Sequence, residues 1–146
     1  MHAQAMLIPT LTACSGEYQT YQGGIDNQFR CWCSGTVFLD GQMLTLVALS
    51  QQLISAVHQN TLDELLCRFD GFFSIIMHSQ QGWWLISDRL RSRPLFYRYR
   101  QQAWQISDSA WALLDASDAI DPLAKEEFLR CGYVTGSATL VAPIRQ

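Results

Sequence analysis

The sequence predicts an α+β protein built around a largely antiparallel sheet, and three observations carry that reading. Two dense apolar runs rich in β-branched and aromatic residues lie at residues 69–78 and 83–89. The polar, glycine-containing link Ser79-Gln80-Gln81-Gly82 between them predicts a hairpin buried on at least one face. A third strand over residues 95–100 follows Pro94, which suits a strand start because proline has no N–H to give the ladder. Segments with helical spacing flank these strands without forming regular βαβ units.

Taken in order, residues 5–13 alternate weakly and predict a first strand, with Pro9 favouring a sheet edge. Residues 14–28 are polar, contain Gly16, Gly23 and Gly24, and predict a long loop. Residues 29–39 predict a strand with Phe29, Cys31, Cys33 and Gly35 on one side. Asp40-Gly41 is a turn signal, after which residues 43–49 predict a return strand. Ser50 is the expected N-cap of a helix carrying Leu53, Ile54, Val57 and His58. Asn60-Thr61 ends it, and Thr61 with Glu64 predicts a capping box on a second helix whose stripe is Leu62, Leu65 and Leu66. Beyond the hairpin, residues 103–107 predict a short strand and residues 109–114 one or two helical turns. Asp121 then caps a helix with Pro122 at its first position, and Leu123, Phe128 and Leu129 supply its buried side up to Gly132. Residues 133–146 are expected to be extended or irregular. Phe73, Ile75, Leu85, Ile86 and Leu95 are expected to be mostly buried.

A chain of 146 residues suits one domain, residues 1–146, with a core that needs neither disulfides nor metal. Hydrophobic residues at 49% against 16% charged exclude disorder, and a net charge of −3 gives no global reason to expect nucleic acid. No apolar run approaches the roughly eighteen residues needed to cross a bilayer. The amino terminus has neither a basic lead nor a long apolar run, so a signal peptide is not expected. Five cysteines, Cys14, Cys31, Cys33, Cys67 and Cys131, are an odd number without an export signal, which predicts a reduced, cytoplasmic setting. Cys31 and Cys33 share a strand face. With His2, His58 and His78 scattered, they read as core cysteines rather than as half of a zinc site.

Several motifs together carry a family resemblance. Phe69-Asp70-Gly71-Phe72-Phe73 resembles the Leu-x-Gly-x-Phe segment of the amidotransferase domain of asparagine synthetases. Residues 85–97 align without a gap to that family's Leu-Ala-Arg-Asp-Arg-x-Gly-x-Lys-Pro-Leu-Tyr-Tyr. They keep Asp88, Arg89, a basic residue at Arg93, then Pro94, Leu95 and Tyr97, with Arg91 where the family has glycine and Ser87 where it has arginine. Ser107-Asp108 with Leu113-Leu114 is similar to the Ser-Glu and Ala-Leu-Leu that follow. The run from Phe128-Leu129 through Gly132-Tyr133-Val134 and Gly136 to Thr139-Leu140 and Ile144-Arg145 is similar to Tyr-Leu-x-x-Gly-Tyr-Val-Pro-Gly…Thr-Leu…Ile-Arg. The likeness covers about the last eighty residues.

The resemblance implies an N-terminal-nucleophile-hydrolase-like fold, a sandwich of two mainly antiparallel sheets flanked by helices. In the family a cysteine directly after the initiator methionine attacks the glutamine amide, with its own α-amine as base. Here that position is His2, the Arg-Gly-Pro loop is absent, and Cys33-Ser34-Gly35-Thr36 keeps only the glycine of the Asn-Gly-Glu turn. With no acidic group there for the substrate's α-ammonium, glutaminase activity is not expected. Exposure of Cys14 by processing is disfavoured, because a polar stretch follows it. Degenerate domains of this kind front β-lactam synthetase and the lasso-peptide macrolactam synthetases, whose C-terminal halves use ATP and Mg²⁺. The resemblance therefore implies a non-catalytic domain, without cofactor of its own, working with an asparagine-synthetase-like half in cis or in trans, with a peptide among the candidate substrates. The alternative is a free-standing binding module on the same fold. The chain stops without a closing element, which suggests a piece of something longer.

Other residue types invite functional readings with plainer competitors. Asp88 and Arg89, at a strand end before a tight turn, suit structural hydrogen bonding better than catalysis. Arg89, Arg91, Arg93, Arg98 and Arg100, interleaved with Phe96, Tyr97 and Tyr99, read as a solvated hairpin edge rather than a nucleic-acid surface. Within that edge, Arg91, Arg98 and Arg100 are candidates for contact with an anion or partner. Asp115, Asp118 and Asp121 lack the glycine and glutamate of a calcium loop. Trp83, Trp84, Trp104 and Trp111 are expected in the core or on sheet faces.

Overall fold

The computed structural model describes residues 10–11, 17–24 and 28–146, and in it antiparallel strands and a few helices build an α+β architecture. The chain forms two compact units: Gly16–Pro94 is one, and Leu95–Gln146 together with the strand at Thr10–Leu11 makes the other.

The first unit is a five-stranded sheet covered by two helices. Its strands are β2 (Gln19–Gly23), β3 (Phe29–Leu39), β4 (Gln42–Met43), β5 (Phe69–Ser79) and β6 (Gly82–Ser87), in the order β2-β3-β5-β6 with β4 also pairing β3. The β5–β6 hairpin forms as the apolar runs predict, with Ile76 opposite Leu85 and Ser79 opposite Gly82. Alternation along β3 sends Phe29, Cys31, Cys33 and Val37 to the core face, where Phe73, Ile75 and Met77 of β5 join them. Ile75 and Phe73 are buried as expected, whereas Leu85 and Ile86 are half-buried. The Asp40-Gly41 turn has both residues at positive φ, 51° and 81°, which matches a tight hairpin connection.

Helix α1 (Leu46–Gln59) lays Leu49, Leu53, Ala56 and Val57 on this face, and α2 (Leu62–Cys67) adds Leu65. Two expectations fail here. Residues 43–49 are β-branched and apolar enough to read as a strand, yet only Gln42–Met43 pairs, and the helix begins at Leu46. Thr45, not Ser50, is the N-cap, accepting from the Ala48 N–H at 3.3 Å, because the stripe that needs burial starts a turn earlier with Leu49. Thr61 does precede α2, but its side chain makes no cap hydrogen bond, so the capping box is not formed. The polar stretch read as a loop contains β2, an edge strand whose alternate residues face solvent while Tyr21 packs on Phe29. Residues 14–16, including Cys14, and most of 5–13 lie outside the described residues.

Two glycines let β3 and β5 approach. A Cβ at Gly35 (φ +94°) falls 2.0 Å from the Phe72 carbonyl oxygen, and one at Gly71 (φ +121°) falls 2.2 Å from that of Thr36. Each is a backbone atom that cannot step aside.

In the second unit, β7 (Phe96–Arg100) pairs antiparallel with β8 (Ala103–Ser107), and β1 (Thr10–Leu11) adds to β8 in parallel at the edge. The strand after Pro94 thus starts a separate sheet instead of extending the β5–β6 hairpin. A 3₁₀ turn at Ala110–Leu113 and helix α3 (Pro122–Cys131) follow. Asp121 caps α3 through the N–H groups of Leu123 and Ala124, with Pro122 at the first position and Gly132 closing the helix at φ +80°. The C-terminal segment is pinned by reciprocal Tyr97–Arg145 backbone bonds at 2.8 Å and by Thr139, whose hydroxyl donates to the Val141 and Ile144 carbonyls. Leu95, Ile106, Leu113, Ala124 and Ile144 are the buried apolar residues here.

The expected buried side of α3 is not buried. Leu123 is 77% exposed, Leu129 73% and Phe128 44%, and only Ala124 of this helix is covered. Trp111, expected in the core or on a sheet face, is 82% exposed.

Candidate functional site

The family-like stretch 85–94 folds around one carboxylate. Asp88 ends β6 and is buried, and each of its oxygens accepts two hydrogen bonds. Oδ1 takes the N–H groups of Leu90 (2.9 Å) and Ser92 (3.2 Å), while Oδ2 takes the Phe73 N–H (3.1 Å) and the Ser92 hydroxyl. Burial pushes this carboxyl's pKa up, and the four donors outweigh it, leaving the group below the usual carboxylate range. Asp88 therefore ties the 88–92 turn to the middle of β5. With its lone pairs spent inward it is a fixed structural anion, not a base.

A cleft of about 520 Å³ lies beside this knot, between the β3–β5 ladder and the 88–90 turn. Of the residues that carry the resemblance, Asp70, Gly71, Phe73, Asp88 and Arg89 line it. Arg89 donates to the Cys67 carbonyl at 2.8 Å, and Asp70 accepts the Gly71 N–H at 2.8 Å. Arg93 lies outside it: its guanidinium donates to the buried Ser34 hydroxyl at 2.9 Å and stands over Gly35. Pro94 closes the unit before Leu95. In the second unit Leu95 is buried, Tyr97 bridges to Arg145, Gly132 ends α3, Tyr133 is 61% exposed and Gly136 adopts φ +66°.

The arginine edge is largely engaged. Arg98, a candidate contact for an outside anion, is instead buried: its Nη1 and Nη2 donate to the Asp118 carboxylate at 2.6 and 3.1 Å, and Nη1 also meets the Leu113 carbonyl at 2.5 Å. Arg100 pairs with Asp115. Sequence pattern hides this, because the partners stand fifteen or more residues away and resemble a loop's solvated acids. The Arg98 hydrogen bonds hold the Asp118 carboxyl below its usual range against burial, and bonds from Ser117 do the same for Asp115. Arg91 is exposed at φ +51°.

The described thiols are poor nucleophiles where they are enclosed. Burial pushes Cys31 up to about 12 and Cys33 up to about 11, and a protonated thiol is a poor nucleophile toward a carbonyl. Among the described residues no three His, Cys, Asp or Glu side chains gather in a way that could hold a metal ion. No helix of the described residues is long and apolar enough to cross a membrane. On the face of the first sheet opposite α1 and α2, Trp83 stacks on Trp32 (5.9 Å, 12°) and contacts His78 (4.4 Å).

Apart from the cleft, the surface feature that the sequence did not reveal is the apolar exposure of residues 120–133. Ile120, Leu123, Phe128, Leu129 and Tyr133 all reach solvent there. The signal was present as an amphipathic helix; what pattern alone withholds is whether its own chain covers the apolar side. No protein-family model, curated protein or solved structure matches the chain.

Proposed function

We propose that this chain is a glutaminase-inactive, amidotransferase-like domain of N-terminal-nucleophile-hydrolase type. It packs on and supports an ATP-dependent, asparagine-synthetase-like amide-bond-forming enzyme of the lasso-cyclase kind. In this reading ATP and Mg²⁺ belong to the synthetase half, and this domain acts by fit and contact.

The observation that carries the docking role is the apolar surface of residues 120–133. Isolated exposed leucines need no explanation, but five large apolar side chains exposed within fourteen residues of sequence are costly to leave in water and support the reading of an interaction surface. Backbone geometry supports the family reading. Gly71 and Gly132, glycines of the resembling motifs, both sit at positive φ, and Arg91, where the family has glycine, adopts the same left-handed region at φ +51°. Inactivity is supported by His2 at the position of the family's nucleophilic cysteine and by Thr36 in place of its acidic residue.

The test is co-expression with the protein encoded by the continuing or adjoining reading frame, where the proposal expects a Ser-Gly-Gly-x-Asp pyrophosphate loop. Co-purification in equal amounts is expected, abolished by Leu123→Asp with Leu129→Asp while the variant's own circular dichroism is unchanged. Glutamine should release no ammonia. Ammonia release by the chain, or an assembly indifferent to both substitutions, overturns the proposal.

A further inference from the structure

We infer that the cleft beside Asp88 binds a free α-amino acid with an apolar side chain. The inference stands apart from the docking role, because it concerns the first unit alone and needs no partner.

The volume of about 520 Å³ falls in the range of small-molecule sites. Its walls include Phe38, Phe72, Ile86 and Leu90, and Phe72 and Leu90 are 62% and 80% exposed. An apolar ligand side chain covering them removes that surface from water. The lining carries three charged groups. Asp88 is spent on four inward hydrogen bonds and has nothing to offer a ligand. Arg89 uses one N–H on the Cys67 carbonyl, so most of its five donors remain for a carboxylate. Asp70 accepts the Gly71 N–H with Oδ1, which leaves Oδ2 for an ammonium.

One half-spent cation and one half-spent anion, both solvent-exposed on the lining of a partly apolar cleft, complement a zwitterion. Asp70 and Arg89 are both exposed, so a simple carboxylic acid gains only the pairing with Arg89 and a simple amine only the pairing with Asp70, whereas a zwitterion gains both. A free amino acid carries both charges on one carbon, with its side chain directed to the apolar wall. A peptide terminus supplies only one of the two charges.

Isothermal titration calorimetry on the full chain with L-phenylalanine and L-leucine tests this, alongside N-acetyl-L-phenylalanine, L-phenylalaninamide and L-glutamine. Saturable binding of phenylalanine or leucine is expected. Each blocked derivative should bind about three- to five-fold more weakly, the scale of one exposed ion pair. Arg89→Gln and Asp70→Asn should weaken binding by a similar factor. Asp70→Asn keeps an acceptor for the Gly71 N–H, and the exposed Phe72→Ser provides a second variant that leaves the knot intact. No binding at millimolar concentration overturns the inference. So do blocked derivatives that bind as tightly as the free amino acids, glutamine matching leucine, or folded variants that bind like the parent.

Discussion

The two units solve the same problem with different materials. Gly16–Pro94 buries one continuous apolar cluster between a five-stranded sheet and α1 and α2. Leu95–Gln146 buries few apolar side chains, fixes its strands with the Arg98–Asp118 pair and backbone bridges, and leaves Trp111, Leu123, Leu129 and Tyr133 in solvent. Hydrophobic burial sustains the first, whereas the second relies more on polar contacts and leaves much of its apolar surface exposed. The proposed docking role would use that exposed surface.

Thiol labelling should divide the molecule most sharply. Cys31, pushed up to about 12 in the first unit's core, should react about a thousand-fold more slowly with iodoacetamide at neutral pH than the exposed Cys131 of α3. Mass spectrometry of the native chain checks this, and equal rates would mean that the core is open. Leu53→Ala, at a fully buried position of α1, should cost about 3–5 kcal/mol in denaturant unfolding, while Leu129→Ala should stay within about 0.5 kcal/mol. Similar costs at both sites would erase the contrast.

Asp118→Ala should cost about 3 kcal/mol, because it strands the buried Arg98 guanidinium. The native Asp118 carboxyl sits below its unfolded value. Its contribution is therefore complete above about pH 4 and is lost as pH falls through the lowered native value. The gap between parent and variant should be flat from pH 5 to 7 and close below about pH 4 in urea titrations. A gap that persists into acid would show that Asp118 acts by packing rather than by charge. The smallest effect is a gain. Gln101 and Gln102 turn the β7–β8 hairpin at φ +51° and +62°, so Gln101→Asn with Gln102→Gly should stabilise it by about 1 kcal/mol.

How far the sequence could be read follows the same division. The β5–β6 hairpin, the Asp40-Gly41 turn, the Asp121-Pro122 helix start and the buried face of β3 were legible because local pattern and tertiary burial agree there. Residues 43–49 mislead because strand-like composition and a helical stripe compete, and burial of Leu49 decides in favour of the helix. β2 was hidden because an edge strand facing solvent carries loop-like residues. Gln101-Gln102 gives no turn signal at all, since the left-handed conformation there is imposed by pairing of the flanking strands. Of the candidate site, Asp88 was legible as a turn residue. The cleft was not, because Phe38, Asp70, Ile86 and Arg89 meet only once β3, β5 and β6 are in register. The burial of Arg98 is hidden for a similar reason: its partner lies across an irregular segment whose path no periodicity encodes.

Hydrogen–deuterium exchange of the chain alone and in its co-purified assembly tests the docking claim most directly. The account predicts that amides of residues 120–133 become protected on assembly while those of β3 and β5 are unchanged. Unaltered exchange over residues 120–133 in a complex that nevertheless forms would contradict it.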